Sequence, residues 1–113
     1  MNIMKMMSQA KAMQTKMAAL QERMGHTLVE GTAGGGAVKI TMTCKGNCQS
    51  VVLDPSVLNA SEKEMAEDLI MTAINDAKGK ADTMMADETQ RMMSELGLPP
   101  GALNAMNNGG LPF

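Results

Sequence analysis

Aromatic side chains are almost missing from this 113-residue chain, which has no Trp, no Tyr and a single Phe, Phe113, at its last position. That excludes a stacking platform for unpaired bases, whose affinity comes from aromatic faces. Histidine and cysteine are scarce too: His26, Cys44 and Cys48 are all there is. Two cysteines make no disulfide framework. The Cys-x3-Cys pair is at most half a zinc site, because the chain has too few partners to complete four ligands. Basic residues do not dominate, with ten Lys and Arg against twelve Asp and Glu and a net charge of −2. Coating nucleic acid by bulk charge alone is excluded. Long apolar runs are absent as well. Lys5, Lys11 and Lys16 interrupt the N-terminal stretch, so no signal peptide is expected, and the uncharged run 96–113 is too rich in Gly and Pro to cross a membrane. The expectation is a soluble, cytoplasmic chain with no membrane partner.

What remains is a composition with 44% hydrophobic and 19% charged residues, enough for one compact domain. We expect that domain to span 1–96, followed by a mobile Gly/Pro/Asn-rich tail over 97–113. Fifteen methionines mean a core of Met, Leu, Ile, Val and Ala, which packs adaptably because Met is flexible. Charge is unevenly divided. Residues 1–53 carry six basic and two acidic side chains, and residues 54–113 carry four basic and ten acidic.

Residues 3–24 contain no Gly or Pro and read as a helix. Ile3, Met6, Ala10, Met13, Met17, Leu20 and Met24 recur at alternating spacings of three and four, an apolar seam two positions wide in every seven. So narrow a seam suits a partner helix as well as the protein's own core. Gly25 follows as a stop. The period then changes from 3.6 to 2. Thr27–Glu30 reads as a short strand, Gly31–Gly36 as a Gly-rich connection, Ala37–Thr43 as a cleanly alternating strand, Lys45-Gly46-Asn47 as a turn, and Cys48–Leu53 as a third strand. Ser61-Glu62-Lys63-Glu64 has the form of a capping box opening a second helix, which runs to about Leu96, with Gly79 a weak point inside it. The fold expected is α+β: an αβββα protomer with a three-stranded antiparallel sheet and two long helices. At 1.5 Å per residue the helices run roughly 33 and 54 Å, against about 17–23 Å for the strands. Such helices overhang the sheet, and a second copy is the simplest cover, so a homodimer is expected.

Catalytic chemistry finds little support. His26 has no carboxylate or thiol beside it in sequence and suits a helix end. Gly34-Gly35-Gly36 lacks the Lys-Ser/Thr and the following helix of a phosphate loop. No catalytic residue, metal, cofactor or small-molecule substrate is expected. The lysines and arginine of the first helix are more informative. At 100° per residue, Lys5, Lys16 and Arg23 fall within about 20° of one line, and Lys11 lies on the other flank beside Glu22. A stripe of this kind can follow a phosphate backbone. Three contacts per subunit, six per dimer, give a log–log salt slope of about −5. Gln9, Gln14 and Gln21 could meet base edges, but nothing fixes a groove. The competing reading is a protein-interaction module in which the Met-rich helices form an adaptable groove.

Taken in order, several segments resemble the YbaB/EbfC family of bacterial nucleoid-associated proteins. They are the Met- and Gln-rich helix Met4–Met24, the Gly-rich connection with Val38-Lys39-Ile40-Thr41, and Asn47-Cys48 leading to Val52-Leu53-Asp54-Pro55-Ser56. Glu67-Asp68-Leu69, Asn75-Asp76-Ala77, Leu98-Pro99-Pro100-Gly101 and Pro112-Phe113 follow. The resemblance implies an intertwined homodimer with projecting helices that binds double-stranded DNA and influences nucleoid organisation and gene expression. It implies DNA contacts from Lys5, Lys11, Lys16 and Arg23 on the first helix, joined by Lys78, Lys80 and Arg91 on the second.

Overall fold

A computed structural model describes residues 2–97. The elements are α1 (Ile3–Met24), β1 (Leu28–Ala33), β2 (Val38–Thr43), β3 (Cys48–Leu53) and α2 (Lys63–Glu95), in the αβββα order expected. The tail expected over 97–113 lies, Gly97 apart, outside the described residues. The chain forms two compact units, one running from Gln21 to Met85 and the other combining the residues up to Leu20 with those from Ala86 onward. Each helix contributes to both.

In the first unit the strands form an antiparallel sheet in the order β1-β2-β3. Val29 pairs with Met42, Gly31 with Ile40 and Ala33 with Val38. Strand side chains alternate, so these six residues share one face, and all six are buried. Against it lies α2, whose Ala73, Ala77 and Ala81 recur every four residues and are fully buried. Gly31 sets the depth of this approach. A Cβ there would collide with the Ala73 carbonyl oxygen and the Ala77 backbone nitrogen, and would stand 2.7 Å from Ala77 Cβ. Glycine within a strand commonly marks such a backbone-to-backbone approach. This corrects the sequence expectation at one point. Gly31, Thr32 and Ala33 belong to β1, and only Gly34, Gly35 and Gly36 make the connection, a 3-10 turn with φ of 63°, 67° and 97°.

The β2–β3 hairpin turns as expected at Lys45-Gly46-Asn47. Gly46 takes φ 94°, its N–H donates to the Thr43 carbonyl at 2.9 Å, and the Asn47 N–H donates to Thr43 Oγ1 at 3.1 Å. The register shifts between Thr41 and Met42, so Gln49 is the extra residue of a bulge. The two outer strands end differently. Along β1, side chains of α2 close the edge: the Thr32 N–H donates to Asp76 Oδ2 at 3.0 Å, and Lys80 Nζ donates to the Glu30 carbonyl at 2.8 Å. Along β3, five of six residues are exposed and Leu53 is half-buried. Val51 is opposite Ile40 and so shares its face, yet Val51 is 52% exposed where Ile40 is 1%.

The entry to α2 also differs from expectation. Ser61 does not open the helix but lies inside a 3-10 turn that Asn59 caps: Asn59 Oδ1 accepts from the Ser61 N–H at 3.1 Å and from the Ser61 hydroxyl at 2.8 Å. The turn, Ala60–Glu62, then leads into the helix at Lys63. Asn and Ser are comparable caps, and the asparagine comes first. The helix continues through Gly79.

The second unit joins the first five turns of α1 to the end of α2. Thr89, Met92 and Met93 are buried there, and Lys16 Nζ makes an ion pair with Glu95 Oε2 at 3.2 Å. Burial along the seam of α1 rises with residue number. Ile3 is 71% and Met6 52% exposed, Met13 and Met17 are half-buried, and Leu20 and Met24 are buried.

Candidate nucleic-acid interface

A lysine or arginine can neutralise a phosphate only as far as its own protein leaves it unneutralised, so the carboxylate partners of each cation sort the candidates. On α2 every basic residue has a carboxylate one turn away. Lys63 pairs with Glu67 at 3.8 Å, Lys80 with Asp76 at 3.3 Å and Arg91 with Glu88 at 3.4 Å, while Lys78 donates to Asp82. The helix has these partners because eight of its residues are acidic, and neighbours three or four apart face one another. Lys80 is further tied to the Glu30 carbonyl. Its position is that of an edge clamp on β1.

On α1 the sorting goes the other way. Lys5 and Lys11 are exposed and make no ion pair among the described residues. Lys16 is engaged by Glu95, and Arg23 is engaged as well. Such surface pairs are worth only about 0.2–1 kcal/mol, so phosphate competes with them readily. Two more lysines without a carboxylate among the described residues sit outside the helical stripe: Lys39 on β2 and Lys45 in the hairpin. Helical spacing could not find them. They are visible only as part of the basic first half, and Lys45 extends its aliphatic chain past Gly25 at the end of α1, where the helix dipole favours a cation.

Two carboxyls are held below the ordinary aspartate value of 3.8. The Thr32 N–H, then the Lys80 side chain, stabilise the ionised form of Asp76; the backbone and hydroxyl of Ser56 do the same for Asp54. Both carboxylates act on the backbone, one at a strand edge and one at a turn. His26 Nε2 lies 3.3 Å from Glu22 Oε1, with both side chains largely exposed. This carboxylate, one helical turn back, is a neighbour that adjacency in the sequence does not reveal. No group of three or more His, Cys, Asp or Glu residues able to hold a metal occurs among the described residues, and no helix there is long and apolar enough to cross a membrane.

The sheet with its flanking helices, and the concentration of uncompensated cations in the first half of the chain, define a small α+β binding protein. The YbaB/EbfC DNA-binding family matches residues 1–96, and the chain belongs to that family. A nucleoid-associated protein of Nitrobacter hamburgensis is 43% identical over 96 residues, covering 85% of this chain and 91% of the relative. Another from Dictyoglomus turgidum is 47% identical over 95 residues, with 84% and 91% covered. Among solved structures, an uncharacterized protein of Helicobacter pylori superposes with a TM-score of 0.73 at 22% identity, over 82% of this chain and 98% of that one. That likeness bears on the fold.

Proposed function

We propose that the protein is a nucleoid-associated homodimer that binds double-stranded DNA through its phosphates and so influences nucleoid organisation and gene expression. The observation that carries the reading is the sorting of cations: α2 compensates all four of its own, and α1 presents Lys5 and Lys11 without a partner among the described residues. Lys16 and Arg23 join them by exchanging protein partners for phosphate. Lys78, Lys80 and Arg91 stand instead on a helix with eight carboxylates to four cations, a surplus of negative charge that repels phosphate even where a single pair could exchange. Contacts of this kind fix position without reading sequence. Family membership and the names of the relatives support DNA as the partner and the nucleoid as the location. The homodimer is supported by apolar surface that a single chain leaves open, above all Val51 on the inner face of β3 and Ile3 and Met6 on α1.

A second reading has its own observation. Met4 and Met7 are exposed and line an open furrow on α1 with Ala10, Lys11 and Gln14, a surface suited to an adaptable protein contact. Titration of duplex DNA at several salt concentrations separates the two, with the dimer checked by sedimentation. Two lysines per protomer, four per dimer, give a log–log slope of about −3.6, steepening toward about −7 when Lys16 and Arg23 also engage. Absence of binding at about 50 mM salt, or binding indifferent to salt, refutes the phosphate mechanism.

A further inference from the structure

The phosphate contacts proposed above leave the sulfur side chains at the β2–β3 hairpin unused. Sequence spacing offered only Cys44 and Cys48 there, half of a site. The fold adds to them from 40 residues away. The thiol of Cys44, buried just beyond β2, donates to the thioether of Met84 on α2 with the sulfurs 3.4 Å apart. Met42 precedes Cys44 by two residues, is buried, and is opposite Cys48 in the strand register. Neither cysteine is in a disulfide; Cys44 is buried and Cys48 exposed. The register thus sets Met42 and Cys48 at the end of the sheet where Cys44 meets Met84, and the exposed Cys48 thiol donates to the Ser50 carbonyl at 3.6 Å.

We propose that Cys44 and Met84, with Cys48 at the open side, form a binding site for a soft monovalent cation, Cu(I). Thiolate and thioether sulfur select such ions over magnesium, calcium or manganese, which prefer oxygen. With metal–sulfur bonds of about 2.3 Å, sulfurs 3.4 Å apart subtend roughly 95° at the metal. They occupy one edge of a coordination sphere and leave a place for a third sulfur. Binding replaces a proton: the Cys44 thiol gives up H⁺ as its sulfur bonds to Cu(I), and no electrons change hands. The ion then ties the hairpin to α2, which also raises the protein's resistance to heat, because the folded chain gathers the sulfurs that the unfolded chain leaves dispersed.

The test is an anaerobic titration of the reduced full chain with Cu(I) against a chromogenic Cu(I) chelator, with melting curves recorded alongside. The expected result is one Cu(I) per chain and a higher melting temperature on loading. Met84→Leu conserves volume at a half-buried position, so the fold is kept, and binding weakens at least tenfold with loss of the melting shift. Cys44→Ser abolishes binding, and Cys48→Ser keeps the ion with lower affinity. Undiminished binding in Met84→Leu overturns the proposal, as does loss of the ion on Cys48→Ser alone, which would place it on the exposed thiol. Failure of the wild-type chain to compete with the chelator overturns it too.

Discussion

Substituting Gly31 by alanine probes the tightest surroundings of any glycine among the described residues. The new Cβ would overlap the backbone of Ala73 and Ala77 and stand 2.7 Å from Ala77 Cβ, where ordinary contact begins near 3.4 Å. Neither obstacle is the end of a flexible side chain. Relief requires α2 to move off β1 by on the order of 1 Å, loosening the buried row Ala73, Ala77 and Ala81 against Val29, Ile40 and Met42. Overpacking a core typically costs about 1–3 kcal/mol, and backbone against backbone belongs at the upper end. At about 4–8 °C per kcal/mol for a domain of this scale, Gly31→Ala should melt on the order of 10–20 °C below the wild type. Circular dichroism at one fixed protein concentration is the assay, since association makes melting concentration-dependent. A variant melting within about 2 °C of the wild type would show that α2 does not lie on β1 at this depth.

Gly79→Ala should act in the opposite direction, gaining about 0.5–1 kcal/mol, because nothing lies within 4 Å of the added methyl and glycine is costly inside a helix; a lower melting temperature contradicts this. Asp76 makes stability depend on pH. Its folded pKa lies below the ordinary 3.8, so its contribution is present above that value and disappears as pH falls through the folded pKa. Melting curves between about pH 6 and pH 3 should fall more steeply below 3.8 for the wild type than for Asp76→Asn, and parallel curves would remove the Thr32 and Lys80 contacts from the account. For DNA, Lys5→Ala and Lys11→Ala should each make the salt slope shallower by about 0.9 for every phosphate no longer neutralised, while Lys78→Ala leaves it unchanged. An equal effect at Lys78 would mean that the ion pair with Asp82 does not withhold it.

Much of this fold was legible in the residue pattern, and the places where it was not share a cause. The bounds of α1 and β3 follow from local period and punctuation, with Gly25 closing one and Asp54-Pro55 the other. Gly31 misled because, read along the chain, it joins a glycine cluster; its reason for being glycine is α2, some forty residues on. The choice of Asn59 over Ser61 as cap was a contest between near-equals that only the backbone path decides. The stripe of Lys5, Lys16 and Arg23 could be drawn from helical geometry, but not that Glu95 would meet Lys16. The pairs on α2 lay within reach of the same three-and-four spacing, had the carboxylates been matched to the lysines one at a time.

The two edges of the sheet set a limit on assembly. A strand with free backbone groups invites another strand, and a sheet open at both sides invites a succession of them without end. Here Asp76 and Lys80 already occupy the outward N–H of Thr32 and the carbonyl of Glu30 on β1, so β1 is the obstructed edge and β3 the more open one. Two such sheets joined there present a clamped margin on either side. The clamp thus works against growth of this sheet from its β1 side, and it is supplied by a lysine and an aspartate of α2 that look like ordinary surface charge.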